Sequence, residues 1–172
     1  MTTKLKAGQP LPDISLPTVG GGTATLGAGT GGWRAVIVYR GKHCPLCKKY
    51  LGGLQDLAQD YADAGIELLL VSGDPKEKAE AVKEDCGLAQ TVAYDLKPEQ
   101  MRALGLYISE PRSEQETDRP FPEPGVFVVN PEGKLQIVDI SNAPFARPDL
   151  GNLLNGLKFI QDKDYPIRGM AA

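Results

Sequence analysis

The chain has 172 residues, 41% of them hydrophobic and 24% charged, which suits one globular domain, 1–172, with enough apolar material for a core. Lys plus Arg number 19 against 22 for Asp plus Glu, a net charge of −3, which argues against a nucleic-acid surface with its clustered basic excess. No apolar run reaches transmembrane length, and the start, MTTKLKAGQPLPD, lacks an apolar signal core, so the expectation is a cytoplasmic protein without a membrane partner.

Asp13–Leu16 and Thr23–Leu26 are short β-prone pieces separated by glycines, an N-terminal β-hairpin extension. The glycine clusters Gly20–Gly22 and Gly27–Gly32 lack a phosphate-loop pattern and read as turns. Ala35–Tyr39 is a continuous apolar run, as in a strand covered on both faces. From Pro45 onward Leu46, Tyr50, Leu54, Leu57 and Tyr61 recur at helical steps until Gly65. Ile66–Ser72 is a second buried strand. Asp74 and Pro75 then open a helix as N-cap and first helical residue, with Ala79, Val82 and Cys86 on one side and Gly87 as its stop. Thr91–Tyr94 is a short strand and Pro98–Leu104 a short helix. Residues 107–124 are polar and proline-rich, a long loop of the sort that often carries function. Gly125–Val129 and Leu135–Ile140 flank the turn Asn130–Gly133 as a hairpin, a last helix runs from Pro148 to Ile160, and the tail is extended. Strand–helix–strand alternation with a closing hairpin predicts an α/β fold, a mixed central sheet with helices on both faces.

Three cysteines are too few for a disulfide scaffold. Two of them, Cys44 and Cys47, stand where the first buried strand hands over to a helix, in the segment RGKHCPLCKKYL. Strand, Cys-x-x-Cys, helix in a βαβ setting is the thioredoxin-type redox signature. Cys44 falls near the N-cap, Pro45 at the first helical position and Cys47 in the first turn, so the two sulfurs can approach for a disulfide. The helix N-terminus and the cations Arg40, Lys42, Lys48 and Lys49 favour thiolate, with His43 adding charge when protonated. No cofactor and no metal are called for: a zinc site would need Cys44, Cys47, Cys86 and His43 to converge, and adjacent His43 and Cys44 rarely point at one ion. Cys86 is an additional candidate for a resolving thiol, with a plain buried side chain as the alternative.

Four segments, AGQPLPDISLPTVGGGTATL, VIVYRGKHCPLCKKYL, GIELLLVSGDP and PEPGVFVVNPEGKL, span most of the chain. Together they resemble the alkyl hydroperoxide reductase/thiol-specific antioxidant (AhpC/TSA) family on a thioredoxin-like fold. The resemblance implies an antioxidant oxidoreductase that reduces hydroperoxides, with a thioredoxin-like dithiol protein as reductant and a homodimer as assembly. It also carries departures. When Cys47 is aligned with the family's attacking cysteine, Cys44 takes the place of a threonine and Arg40 that of a proline. Pro124 stands where the family has an arginine and thioredoxins have a cis-proline. His43 replaces the tryptophan usual before a thioredoxin pair.

Lowering a cysteine pKa from about 8.5 to about 6.5 raises the thiolate fraction at pH 7 about 25-fold. The loss of nucleophilicity returns roughly 8-fold of that. Donors to the developing charge must therefore supply most of a peroxidase's acceleration, and Arg40, Arg119 and Arg147 are the candidates. Either Cys47 attacks and Cys44 resolves, or Cys44 attacks and Cys47 resolves. The alternative functions are a thioredoxin-like protein disulfide reductase and a redox sensor or interaction module without turnover. An arginine at the Cys47 sulfur favours peroxide, whereas an open apolar groove beside Cys44 and Pro124 favours protein disulfides.

Overall fold

The computed structural model describes residues 4–27 and 31–171. β1 (Ser15–Pro17) and β2 (Thr23–Thr25) pair antiparallel around Gly20–Gly22, while part of the turn expected over Gly27–Gly32 lies outside the described residues. Next come β3 (Trp33–Val38), α1 (Pro45–Gly53), a 3-10 turn (Leu54–Asp56), α2 (Ala58–Asp63), β4 (Ile66–Val71) and α3 (Lys76–Asp85). β5 (Thr91–Ala93) and α4 (Pro98–Ala103) follow, then a small hairpin of β6 (Ile108–Ser109) and β7 (Phe121–Pro122). β8 (Gly125–Val129), β9 (Leu135–Ile140) and α5 (Leu150–Lys163) complete the chain.

The central sheet has the order β5-β4-β3-β8-β9. β3, β4 and β5 run parallel, because each return passes through a helix, whereas β8 and β9 are antiparallel across a tight turn. Alternation along β3 assigns the two faces. Ala35, Ile37 and Tyr39 enter one apolar cluster with Leu51 and Leu54 of the α1 region, Ala79 and Val82 of α3, and Leu150, Leu153, Leu154 and Leu157 of α5. Val36 and Val38 enter the other, with Leu16 and Leu26 of the N-terminal hairpin and Met101 and Leu104 about α4. Helices therefore cover both faces, as the strand–helix alternation predicts, and the fold is α/β and thioredoxin-like.

Four local expectations are corrected. The helix from Pro45 is not continuous to Tyr61: it runs to Gly52-Gly53, passes through the 3-10 turn and restarts as α2, since each glycine costs about 1 kcal/mol in a helix relative to alanine. The buried face is that of Cys47, Leu51, Leu54 and Tyr61, and Leu46 is left 46% exposed. Asp74 does not cap α3. Pro75 takes that position, and the buried Asp74 carboxylate accepts the backbone N–H of Lys42 at 2.8 Å instead. Residues 107–124 are not all loop, because β6 and β7 pair within them. Pro124 is not cis: no peptide bond among the described residues is, and most X–Pro bonds prefer trans.

The stop after α3 is as read. Gly87 has a φ of 61°, and the N–H groups of Gly87 and Leu88 reach Glu84 O and Lys83 O, which satisfies the last carbonyls of the helix.

Candidate functional site

β3 ends at the sheet centre, and the chain then turns through Tyr39–His43 into α1. Gly41 makes that turn possible. Its φ is 142°, and a Cβ there would lie 2.7 Å from Asp74 Oδ1 and 3.0 Å from His43 Nδ1. Asp74 holds the same loop by accepting from Lys42 N–H. Gly41→Ala is therefore expected to cost about 1–3 kcal/mol of stability, checked by thermal unfolding of the reduced protein. An unchanged midpoint would show that the loop tolerates a side chain.

Cys44 is the N-cap of α1 and Pro45 its first residue, an arrangement that leaves backbone donors facing the cap side chain. The Cys44 sulfur accepts from Cys47 N–H at 3.3 Å and from Arg40 Nη1 at 3.7 Å. Arg40 is itself held by Glu123, with Nε 3.0 Å from Oε2, and stacks 4.9 Å from the centre of the Phe121 ring. Glu123 is buried and also accepts from Ser109 Oγ at 2.9 Å. Cys47 sits one turn on, and its sulfur accepts from Arg147 Nη1 at 3.4 Å. Arg147 lies 4.2 Å over the Tyr50 ring, and Tyr50 Oη donates to Pro148 O at 2.5 Å. Each sulfur thus has its own guanidinium.

The two thiols are unequal. The neighbouring Cys47, against the cost of burial, pulls Cys44 down to about 6, with Arg40 adding to the effect. The neighbouring Cys44 and burial push Cys47 the other way, upward, against the pull of Arg147. Arg40 loses some charge preference to burial but more than regains it from Cys44 and Glu123. Both cysteines are free and enclosed, with Cys44 only 1% exposed and Cys47 fully buried.

Of the residues read from the sequence, Arg40, Cys44, Cys47 and Arg147 meet at the pair. His43 lies beside it, its ring 4.4 Å from that of Phe121 in an edge-on contact. Burial and the Arg40 charge lower its pKa, so it adds less positive charge than its position implies. Arg119 faces Asp95 and Asp118 instead of a sulfur. Lys48 turns to Asp85 at 3.7 Å. Pro124 is buried at the start of β8, its carbonyl accepting from Ser141 N–H, while the sulfurs' side-chain donors come from elsewhere. Cys86 caps the end of α3 with its thiol 3.7 Å from Lys48 O, and burial raises its pKa.

The sequence reading missed Glu123, Phe121, Ser109, Tyr50 and Asp74. Only Glu123 left a signal, a lone acid between two prolines directly before a buried strand, FPEPGVFVV.

A groove of about 420 Å³ runs beside α1, lined by Leu46, Tyr50, Leu57, Phe145, Arg147 and Leu150. It adjoins the Cys47 arginine and not Pro124.

The AhpC/TSA family profile matches residues 7–138, a stretch that contains both cysteines. A candidate peroxiredoxin of Mycobacterium tuberculosis (strain H37Rv) is 28% identical over 106 residues, 62% of this chain and 68% of that one. Among solved structures, a peroxiredoxin-like protein from Aquifex aeolicus superposes with a TM-score of 0.76 at 19% identity, covering 92% of this chain and 89% of that one. The peroxidoxin BcpB of Mycobacterium tuberculosis gives 0.74 at 21% identity, covering 91% and 98%. At these identities the structures speak for the fold, and the profile speaks for the family. With a strand, a cysteine at the N-cap of the next helix and a second one turn later, this chain belongs to the AhpC/TSA family and is an oxidoreductase of the peroxiredoxin type.

Proposed function

We propose that Cys44 is the attacking thiolate of a hydroperoxide reductase and Cys47 its resolving thiol. The Cys44 sulfur displaces ROH from ROOH: the S–O bond forms, the O–O bond breaks, the peroxide gains two electrons and Cys44 becomes a sulfenic acid. The departing oxygen takes up a proton from solvent as ROH leaves, so the Cys47 thiol keeps its own proton for the next step. Cys47 then attacks the Cys44 sulfur, hydroxide leaves, and a disulfide closes. A dithiol protein of the thioredoxin kind supplies two electrons and two protons to reopen it.

The observation that carries this reading is the donor set on Cys44, with Cys47 N–H at 3.3 Å and Arg40 Nη1 at 3.7 Å. As charge moves from sulfur to oxygen, a guanidinium with several N–H groups can follow it. Arg40 thereby supplies the donor that pKa tuning alone cannot replace. Enclosure of Cys44 suits a small hydroperoxide better than a folded protein's disulfide.

The disulfide reductase reading has one observation in its favour, the groove beside α1, whose Phe145 is 80% exposed. It suits the docking of the protein reductant as well as that of a substrate. A cytoplasmic setting fits a pair resting as thiols. Among the described residues no helix is long and apolar enough to cross a membrane.

One equivalent of hydrogen peroxide is expected to remove two thiols, with the disulfide mapped to Cys44–Cys47 and Cys86 left free. The oxidation rate should rise with pH through a midpoint near 6, set by Cys44: the attacking form is lost as pH falls below it. A midpoint near that of free cysteine, or a rate equal to free cysteine's, would remove the peroxidase reading. A disulfide that forms but is not recycled by any dithiol reductant would leave the sensor reading.

A further inference from the structure

The two arginines do not share one task. Arg40 reaches Cys44 from the loop before α1, within four residues of it, and is anchored by Glu123. Arg147 reaches Cys47 from the segment between β9 and α5, a hundred residues away in sequence. That segment lies beyond the residues that match the family profile. Tyr50 fixes it from two sides: its ring carries the guanidinium, and its hydroxyl ties down the carbonyl of Pro148.

Arg147 Nη1 lies 3.4 Å from the Cys47 sulfur, but burial and the neighbouring Cys44 favour the neutral form of that thiol in the reduced pair. Oxidation of Cys44 to a sulfenic acid removes the Cys44 anion. The charged or polar groups then facing the Cys47 sulfur are the Arg147 guanidinium, the backbone of Arg40 and the neutral sulfenic acid. The preference for the neutral thiol falls, and the electrostatic field that remains favours thiolate.

We propose that Arg147 is the catalytic residue of the resolving step, pairing with the Cys47 sulfur as an anion once Cys44 has been oxidised. This rests on the assignment of Cys44 as the attacking sulfur. In the step, Cys47 loses its proton, its sulfur bonds to that of Cys44, and the Cys44 S–O bond breaks to release hydroxide, which with the proton makes water. No electrons enter or leave, because the two-electron reduction of peroxide is already complete. Timing follows from charge: the second thiolate appears only after the first has reacted, so the pair never needs two buried anions together.

Rapid-quench mass spectrometry separates the steps, since the sulfenic acid adds one oxygen and the disulfide loses two hydrogens. In Arg147→Met the disulfide-forming phase is expected to slow by about tenfold or more. Its pH midpoint should move upward, and oxygen addition should change by less than about threefold. Arg147→Lys, which keeps the charge, should recover part of the lost rate. A parallel arm uses methyl methanethiosulfonate. This reagent places an S–CH3 group on Cys44 and releases methanesulfinate, after which Cys47 displaces methanethiolate. The same slowing of the second phase is expected there, with no peroxide involved.

If wild type never adds oxygen but the methanethiosulfonate arm shows the Arg147 effect, the peroxidase reading falls and the role of Arg147 stands. Equal slowing of both phases in Arg147→Met, an unchanged second phase, or no recovery with lysine would overturn the proposal.

Discussion

Cys44→Ser is expected to abolish hydroperoxide reduction, by roughly a thousandfold or more in second-order rate, because a serine hydroxyl has no accessible anion at neutral pH. Cys47→Ala should differ in kind. It keeps the Arg40 guanidinium on Cys44 and the backbone N–H of residue 47, so Cys44 is still oxidised once and then stays a sulfenic acid. It loses the neighbouring thiol that lowers Cys44, so the Cys44 midpoint should rise above about 6. Stopped-flow peroxide consumption and intact mass of both variants decide the matter. If Cys47→Ala loses the first oxidation and Cys44→Ser keeps it, the roles of the two sulfurs are reversed.

Arg40→Met carries the second large effect, and it has two separable parts. Loss of a charged donor to the reacting sulfur should lower the rate of oxygen addition by about 10- to 100-fold, the kinetic equivalent of the roughly 1.5–3 kcal/mol typical of a charged hydrogen bond. The Cys44 titration should also move upward, since Arg40 helps hold the anion. The other part concerns stability. Arg40 is the ionic partner of the buried Glu123, and removing it strands that carboxylate at a cost of about 3 kcal/mol. Adding Glu123→Gln should return most of that loss, because the amide needs no counter-charge and still accepts from Ser109. It should return none of the rate. A double variant that regained both would show that Arg40 acts only by supporting the fold. Thermal unfolding and stopped-flow oxidation on the same samples separate the two.

The fold was largely legible because its signals are short-range. Ala35–Tyr39 and Ile66–Ser72 are unbroken apolar runs, and each became a strand with apolar clusters on both faces. The hairpin Gly125–Val129 and Leu135–Ile140 was bracketed by its turn residues and has the same bounds in the fold. Where the reading failed, two local preferences competed. Helical periodicity carried α1 toward Tyr61, but Gly52-Gly53 interrupted it. Asp74 has the chemistry of a cap, yet a buried N–H at Lys42 claimed its carboxylate. Pro124 had a precedent for cis, but nothing in the dipeptide Glu-Pro itself requires it.

The order of elements, the thiol pair at the mouth of α1 and the presence of an N-terminal donor set on Cys44 follow from neighbours along the chain. Capping, proline at the first helical position and hydrophobic period all act within a few residues. The polar setting of each sulfur could not be found that way. It depends on Glu123, 83 residues from Arg40, and on Arg147, 100 residues from Cys47. Composition counts these charges but does not place them. Only packing of the β6–β7 hairpin against the loop before α1 anchors Arg40 at Cys44, and only packing of the β9–α5 segment against α1 brings Arg147 to Cys47; in a low-dielectric interior such proximity pushes the pKa values of two neighbouring thiols apart.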